Sequence, residues 1–229
     1  MQCGLYRADG ARFAWVAIGL NSYPSAFPSP HLRYGAWIDN LILIEAANDS
    51  VIAGWLEQRL SRALAGTEAR VAISVPGGST PFPIFEILAE SDLDWARIDV
   101  WPGDDRIVAE DHPASNTGKI RALLEPVGAT VVALTESKAP PHFALVWLGM
   151  GADGHIASLF PNTDPQSDDP VKLRRLTPDP LPPEAPFDRI TLTIPALLDS
   201  GELMFVIRGA DKRMVFDAAV CGRSDLPIG

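Results

Sequence analysis

The sequence predicts an α/β fold in which a largely parallel sheet is covered on both faces, and three observations carry that prediction. Stretches with strand character alternate with stretches of helical periodicity along most of the chain. Several strand candidates, "VAISV" and "FALVWL" among them, are continuous apolar runs, as in strands buried on both faces. Polar, glycine-bearing turns follow such runs four times, and open parallel sheets hold their ligands at the carboxyl ends of the strands.

Residues 1–35 read as an irregular N-terminal segment, with "YPSAFPSPH" as loop, and residues 36–229 as a single α/β domain. Arg7 and Arg12 before "FAWVAIGL" faintly echo a signal peptide, but Asp9 lies between them and no small-residue cleavage site follows. A cytoplasmic protein is expected. From Ile44 the pattern turns helical: Val51, Trp55, Leu56, Leu60 and Leu64 recur at three- and four-residue spacing until Gly66. "VAISV" (71–75) is a short strand, followed by "PGGST" and a helix over "PFPIFEILAE". Pro81 suits its first position, with Thr80 as N-cap.

"RIDVW" (97–101) is the next strand, leading through "PGDDRIVAEDHPASN" to a helix at "KIRALLEP". "TVVAL" (130–134) and "FALVWL" (143–148) are further strands. Residues 162–188, rich in Pro and Asp, read as a surface excursion. "RITLTI" (189–194), a short helix "PALLDS", the strand "LMFVIRG" (203–209) and a helix through "DKRMVFDAAV" complete the pattern.

Composition narrows the partners. A formal net charge of −10 over 229 residues repels phosphate backbones and anionic membranes, so neither nucleic acid nor membrane is expected. An anionic substrate would need basic residues gathered locally. Two cysteines, Cys3 and Cys221, make neither a disulfide framework nor a metal cluster. Of the oligomeric states, a monomer is favoured.

"GGST" (Gly77–Thr80) enters a helix. Its glycines permit close backbone approach, and free N–H groups with the helix dipole favour a phosphate; a tight turn with an ordinary cap is the plain alternative. Arg106 of "DDR" stands at a strand end, suited to bidentate phosphate recognition or to an ion pair with Asp104 or Asp105. Lys212 begins a helix, where a cation opposes the dipole. His155 lies two residues after Asp153 in the turn "GMGADGH": an imidazole there can take a proton from water, with Asp153 fixing its tautomer, or it can be structural. His31, His112 and His142 sit beside prolines or in loops and are not candidates. The G-x-G-x-x-G of Gly149, Gly151 and Gly154 is not a dinucleotide fingerprint, because Pro161 cuts the following helix short and no second strand ends in an acid.

"VPGGSTP", "DDRIVAEDHPASN", "LGMGADGHIASLFP", "DRITLTIPALL" and "GADK" occur in the order seen in 6-phosphogluconolactonases, a family whose superfamily includes glucosamine-6-phosphate deaminases. The chain resembles that family over roughly residues 45–220, most specifically at "GMGADGHIASLFP". The resemblance implies a Rossmann-like three-layer sandwich with no metal or cofactor, acting on a small sugar phosphate. The implied reaction is hydrolysis of 6-phosphoglucono-δ-lactone to 6-phosphogluconate in the pentose phosphate pathway.

By motif, the family's catalytic histidine falls on His155 with Asp153 beside it. Its phosphate segment falls on Gly77, Gly78, Ser79 and Thr80, its arginine on Arg106 and its late lysine on Lys212. Ser115, Asn116 and Arg189 also match, the last two as substrate-binding candidates. Backbone N–H groups of Gly149 and Gly151 are oxyanion candidates.

The chain also departs from the family's pattern. Asp105 replaces a usual Glu, a helix is missing before "FALVWL", and "LPIG" ends the sequence where the family usually adds an element. The rival readings are a sugar-phosphate deaminase or isomerase, whose ring-opening glutamate would fall at Phe160, and a non-catalytic sugar-phosphate-binding module, which would not need His155.

Overall fold

The computed structural model describes residues 14–20, 41–161, 166, 168–183, 185–220 and 226–228. Two strands, β1 (Ala14–Leu20) and β2 (Leu41–Ala47), precede the first helix, α1 (Asp49–Ala65). Ala14–Leu20, in the stretch read as irregular, is thus a strand, and Ile44 belongs to β2 rather than to a helix. The apolar run "LILI" pairs along β1, and the helix starts only where Asn48 caps it by accepting from the Val51 N–H at 2.9 Å.

Next come β3 (Val71–Val75), α2 (Pro81–Ala89), a 3-10 turn at Trp95–Arg97 and β4 (Ile98–Pro102). A three-residue strand β5 (Asp104–Arg106) leads to α3 (Asn116–Leu124), β6 (Thr130–Val131) and β7 (Phe143–Leu148). The "TVVAL" strand is therefore only two residues long. Within the 162–188 excursion lies a strand, β8 (Leu173–Leu176). The chain continues through β9 (Arg189–Leu192), α4 (Ile194–Leu198), β10 (Ser200–Arg208) and α5 (Ala210–Val220).

The main sheet runs β2-β1-β10-β7-β3-β4-β6. The five strands from β10 to β6 are mutually parallel; β1 pairs antiparallel with β10, and β2 pairs antiparallel with β1 at the edge. Continuous apolar strands fit this position because both sheet faces are covered. Leu145 and Trp147 of β7 face a core shared with α1, α2 and α3, whereas Val146 and Leu148 face a second core shared with α4, α5 and β9. Helices, sheet, and a layer of helices with the small antiparallel sheet β5-β9-β8 make three layers, the expected Rossmann-like sandwich. Among the described residues, no helix is long and apolar enough to cross a membrane.

Candidate active site

Parallel strands deliver their following turns to one edge. The turns after β3, β4, β7 and β10 meet there around a cavity of about 390 Å³. The candidates read from the sequence line that cavity except Asp153, which touches it through His155, and Ser115, whose hydroxyl is engaged by Asp105 and Gly118. His112 and His142 do not line it. His31, Cys3 and Cys221 lie outside the described residues.

His155 Nδ1 is 2.6 Å from Asp153 Oδ1, and the His155 backbone N–H donates to the same oxygen at 3.3 Å. Partial burial pushes the Asp153 carboxyl up, but the facing His155, through its charge and both hydrogen bonds, holds it below its ordinary value. An ionised carboxylate only accepts, so Nδ1 carries a proton, and in the neutral imidazole the lone pair is therefore on Nε2. Gly151 packs so tightly on this pair that a Cβ there would overlap both side chains. On the chain's far side, Leu226 seats against Gly154, whose φ of +80° turns the backbone between Asp153 and His155. Phe160 packs on the imidazole with ring centroids 4.8 Å apart. The position where a deaminase would need a carboxylate is thus an apolar wall. Ala157 holds a left-handed φ of +49° beside the cavity, a strained conformation that recurs at functional sites.

Gly77–Thr80 opens α2. Thr80 already has helical dihedrals and makes no capping bond, so the expected N-cap role is not seen. The Ser79 and Thr80 hydroxyls are uncommitted among the described residues, beside a helix N-terminus that favours anions. Gly77 lies against the Asn116 amide so closely that a Cβ would overlap it. Asn116 Oδ1 accepts from Arg106 Nη1 at 2.8 Å, and its Nδ2 donates to Asp104 O at 2.9 Å. Arg106 Nη1 also donates to Ala114 O at 2.9 Å, and the guanidinium forms no direct ion pair with Asp104 or Asp105. Glycine loop, amide and guanidinium are therefore one packed unit.

Arg106 and Arg189 sit directly opposite each other where β5 pairs with β9. Like charges at such positions repel. Arg189 is buried, and its burial and then Arg106 lower its proton affinity, against the opposing pull of Asp104 and Asp105. Its Nη2 donates to Ala185 O at 2.8 Å, yet Arg189 Nε and Nη1 and Arg106 Nε are buried without partners among the described residues. Buried guanidinium donors left open at a cavity wall fit an anion supplied by a ligand.

Sequence reasoning missed several residues. Asp105 is buried and accepts from the backbone N–H groups of Asn116 (2.6 Å) and Thr117 (2.9 Å) and from the Ser115 hydroxyl (3.2 Å), anchoring α3 by its N-terminus. Asp104 lines the cavity and accepts from Ser158 Oγ. Burial pushes its carboxyl above the ordinary range, despite Ser158 and the neighbouring arginines. Arg208, at the carboxyl end of β10, also lines the cavity; its position at that edge was the available signal. One expectation is corrected: the Gly151 N–H donates to His155 O at 2.9 Å, so this donor is spent inside the turn and is not open to an oxyanion.

The profile of the family described as "Glucosamine-6-phosphate isomerases/6-phosphogluconolactonase" matches residues 45–134 and 127–229. The chain is 31% identical over 216 residues to a 6-phosphogluconolactonase of Neisseria meningitidis serogroup A, covering 80% of this chain and 90% of that one. It is 33% identical over 198 residues to a 6-phosphogluconolactonase of Mesorhizobium japonicum, covering 77% and 82%. Among solved structures, a 6-phosphogluconolactonase from Shewanella baltica superposes with a TM-score of 0.62 at 26% identity, covering 75% of this chain and 81% of that one. One from Thermotoga maritima does so with a TM-score of 0.64 at 25% identity, covering 79% and 88%.

Proposed function

Because the chain belongs to the family of glucosamine-6-phosphate isomerases and 6-phosphogluconolactonases, we propose that it is an enzyme hydrolysing 6-phosphoglucono-δ-lactone to 6-phosphogluconate, a step of the pentose phosphate pathway. The observation that carries this reading is one cavity holding both an Asp-oriented histidine and a set of uncommitted anion-binding groups.

The phosphate docks on Gly77, Gly78, Ser79 and Thr80 with Lys212 and Arg106, while Asn116 holds Arg106 and Arg189 lends a further donor. Lys212 suits the task because it makes no ion pair among the described residues. With the ester anchored, C1 of the lactone lies toward His155. Nε2 takes a proton from water as the water oxygen bonds to C1, and the carbonyl electron pair moves onto its oxygen. The Gly149 backbone N–H is the remaining glycine-turn candidate to receive that charge. When the intermediate collapses, the bond from C1 to the ring oxygen breaks and His155 returns its proton to that oxygen. Asp153 stabilises the imidazolium between the two transfers. No side-chain nucleophile is needed, which accounts for a histidine with no serine or cysteine partner among the described residues.

The test is a coupled assay of fresh 6-phosphoglucono-δ-lactone against its spontaneous hydrolysis, for wild type and His155→Ala. Wild type should accelerate the reaction, and the variant should lose at least about 100-fold in kcat while keeping most of its affinity for 6-phosphogluconate. A folded wild type that binds 6-phosphogluconate without accelerating hydrolysis would overturn the reading in favour of a binding module.

A further inference from the structure

Arg208 ends β10 on the sheet face of Met204 and Val206, the face covered by α1. Strand pairing brings α1 to it: Arg208 is opposite Ala14, and Ala14 is opposite Ala47, two residues before the helix. Asp49, the first residue of α1, consequently forms an ion pair with Arg208 Nη2. The pair is only half the coordination of this guanidinium. Arg208 Nε is buried with no partner among the described residues, and the side chain borders the same cavity as Gly77–Thr80 and Lys212. An aspartate in the first turn is stable there without an arginine, because it already complements the helix dipole. A purely structural bridge therefore leaves both the open donor and its place on the cavity wall unexplained.

We propose that Arg208 is a further ligand of the substrate's phosphate group, and that Asp49 is a positioning residue that presents it. Three groups line this cavity together: the α2 N-terminus, the Lys212 ammonium and a guanidinium held at Nη2 by Asp49 whose Nε has no partner among the described residues. A guanidinium so steadied offers directed hydrogen bonds to a tetrahedral dianion, which an ammonium alone supplies only as a point charge. The identity of the phosphate ester rests on the lactonase reading; the presence of an anion site does not.

The experiment compares the wild-type chain with Arg208→Gln, Arg208→Lys, Asp49→Asn and the double variant Asp49→Asn/Arg208→Gln. Rates are measured on 6-phosphoglucono-δ-lactone and on unphosphorylated glucono-δ-lactone, with calorimetric binding of 6-phosphogluconate and of gluconate. Arg208→Gln should lower the kcat/KM ratio of phosphorylated over unphosphorylated lactone about 10- to 100-fold, mostly through KM, and weaken 6-phosphogluconate binding by a similar factor. Arg208→Lys should lose less. Asp49→Asn should move the same ratio by a smaller factor, and combined with Arg208→Gln it should add nothing, as for a residue acting through its partner. A fall in Tm with the ratio and affinity unmoved overturns the proposal, as does an equal loss on both lactones. If Arg208→Gln does not fold, Arg208→Lys carries the same comparison. If wild type binds 6-phosphogluconate but does not turn over the lactone, the lactonase reading fails, and the calorimetric comparison still judges Arg208. If wild type does not bind 6-phosphogluconate, both readings fail.

Discussion

His155 Nδ1 and Asp153 Oδ1 lie 2.6 Å apart although only one residue, Gly154, separates them in the chain. Such a short loop closes because Gly154 takes a left-handed φ and because Gly151 leaves room for both side chains. The carboxylate fixes which imidazole nitrogen is basic. Asp153→Asn keeps the shape but can present an N–H where an acceptor is needed, which favours the wrong tautomer. We expect kcat on the phospholactone to fall about 100-fold or more with KM within about threefold, measured by steady-state kinetics. An undiminished kcat would mean that Asp153 only shapes the turn.

Gly77 is the point at which the phosphate loop leans on Asn116, and through it on Arg106. A single methyl group at residue 77 must displace the amide and release the guanidinium. Gly77→Ala should raise KM about tenfold or more with a smaller effect on kcat, and Asn116→Ala should reproduce that profile. Kinetic constants for Gly77→Ala matching wild type would show that the loop and Arg106 act independently.

Asp104 is a carboxyl whose proton affinity in the fold is raised, first by burial. Its folded pKa therefore lies above the unfolded value of about 3.9, and ionising it costs the fold stability. The fold is free of that cost below the unfolded value, takes it on as pH rises through the folded pKa, and bears it fully above. Asp104→Asn removes the titration while still offering an oxygen to Ser158 Oγ. Thermal melts across pH should show the variant more stable than wild type at about pH 8, with the gap closing below about pH 4. A gap independent of pH would assign the difference to packing instead.

The legibility of this chain in its sequence follows the range over which its causes act. The turns "GGST" and "GMGADGH" could be read because glycine, polar and apolar residues meet within a dozen positions, and β7 could be read because "FALVWL" is apolar throughout. "LILIEAA" misleads for a physical reason: an apolar strand running straight into a helix shows no break in hydrophobicity, and periodicity cannot divide them. The small sheet was illegible because β5 is only "DDR" and β8 is a partly exposed "LRRL", strands made by their partners and not by their own propensity. Asp105 looks like the second half of an acidic pair, and only folding shows that its oxygens meet backbone N–H groups eleven and twelve residues later. The ion pair of Asp49 with Arg208 spans 159 positions, and no local pattern announces it.

The register of β5 on β9 has a consequence for how such a chain can diverge. Three paired positions are enough to set Arg106 across from Arg189, so the points from which the two side chains leave the backbone are fixed by a short ladder acting as an alignment gauge. The Pro- and Asp-rich excursion can gain or lose residues outside β8 and the turn that brings Ala185 O to Arg189 without altering that register, provided the ladder still forms. Length is then nearly neutral to drift there, while a one-residue slip in the ladder is not. Homologues can thus differ widely in the outline of this region and still hold both arginines in one register.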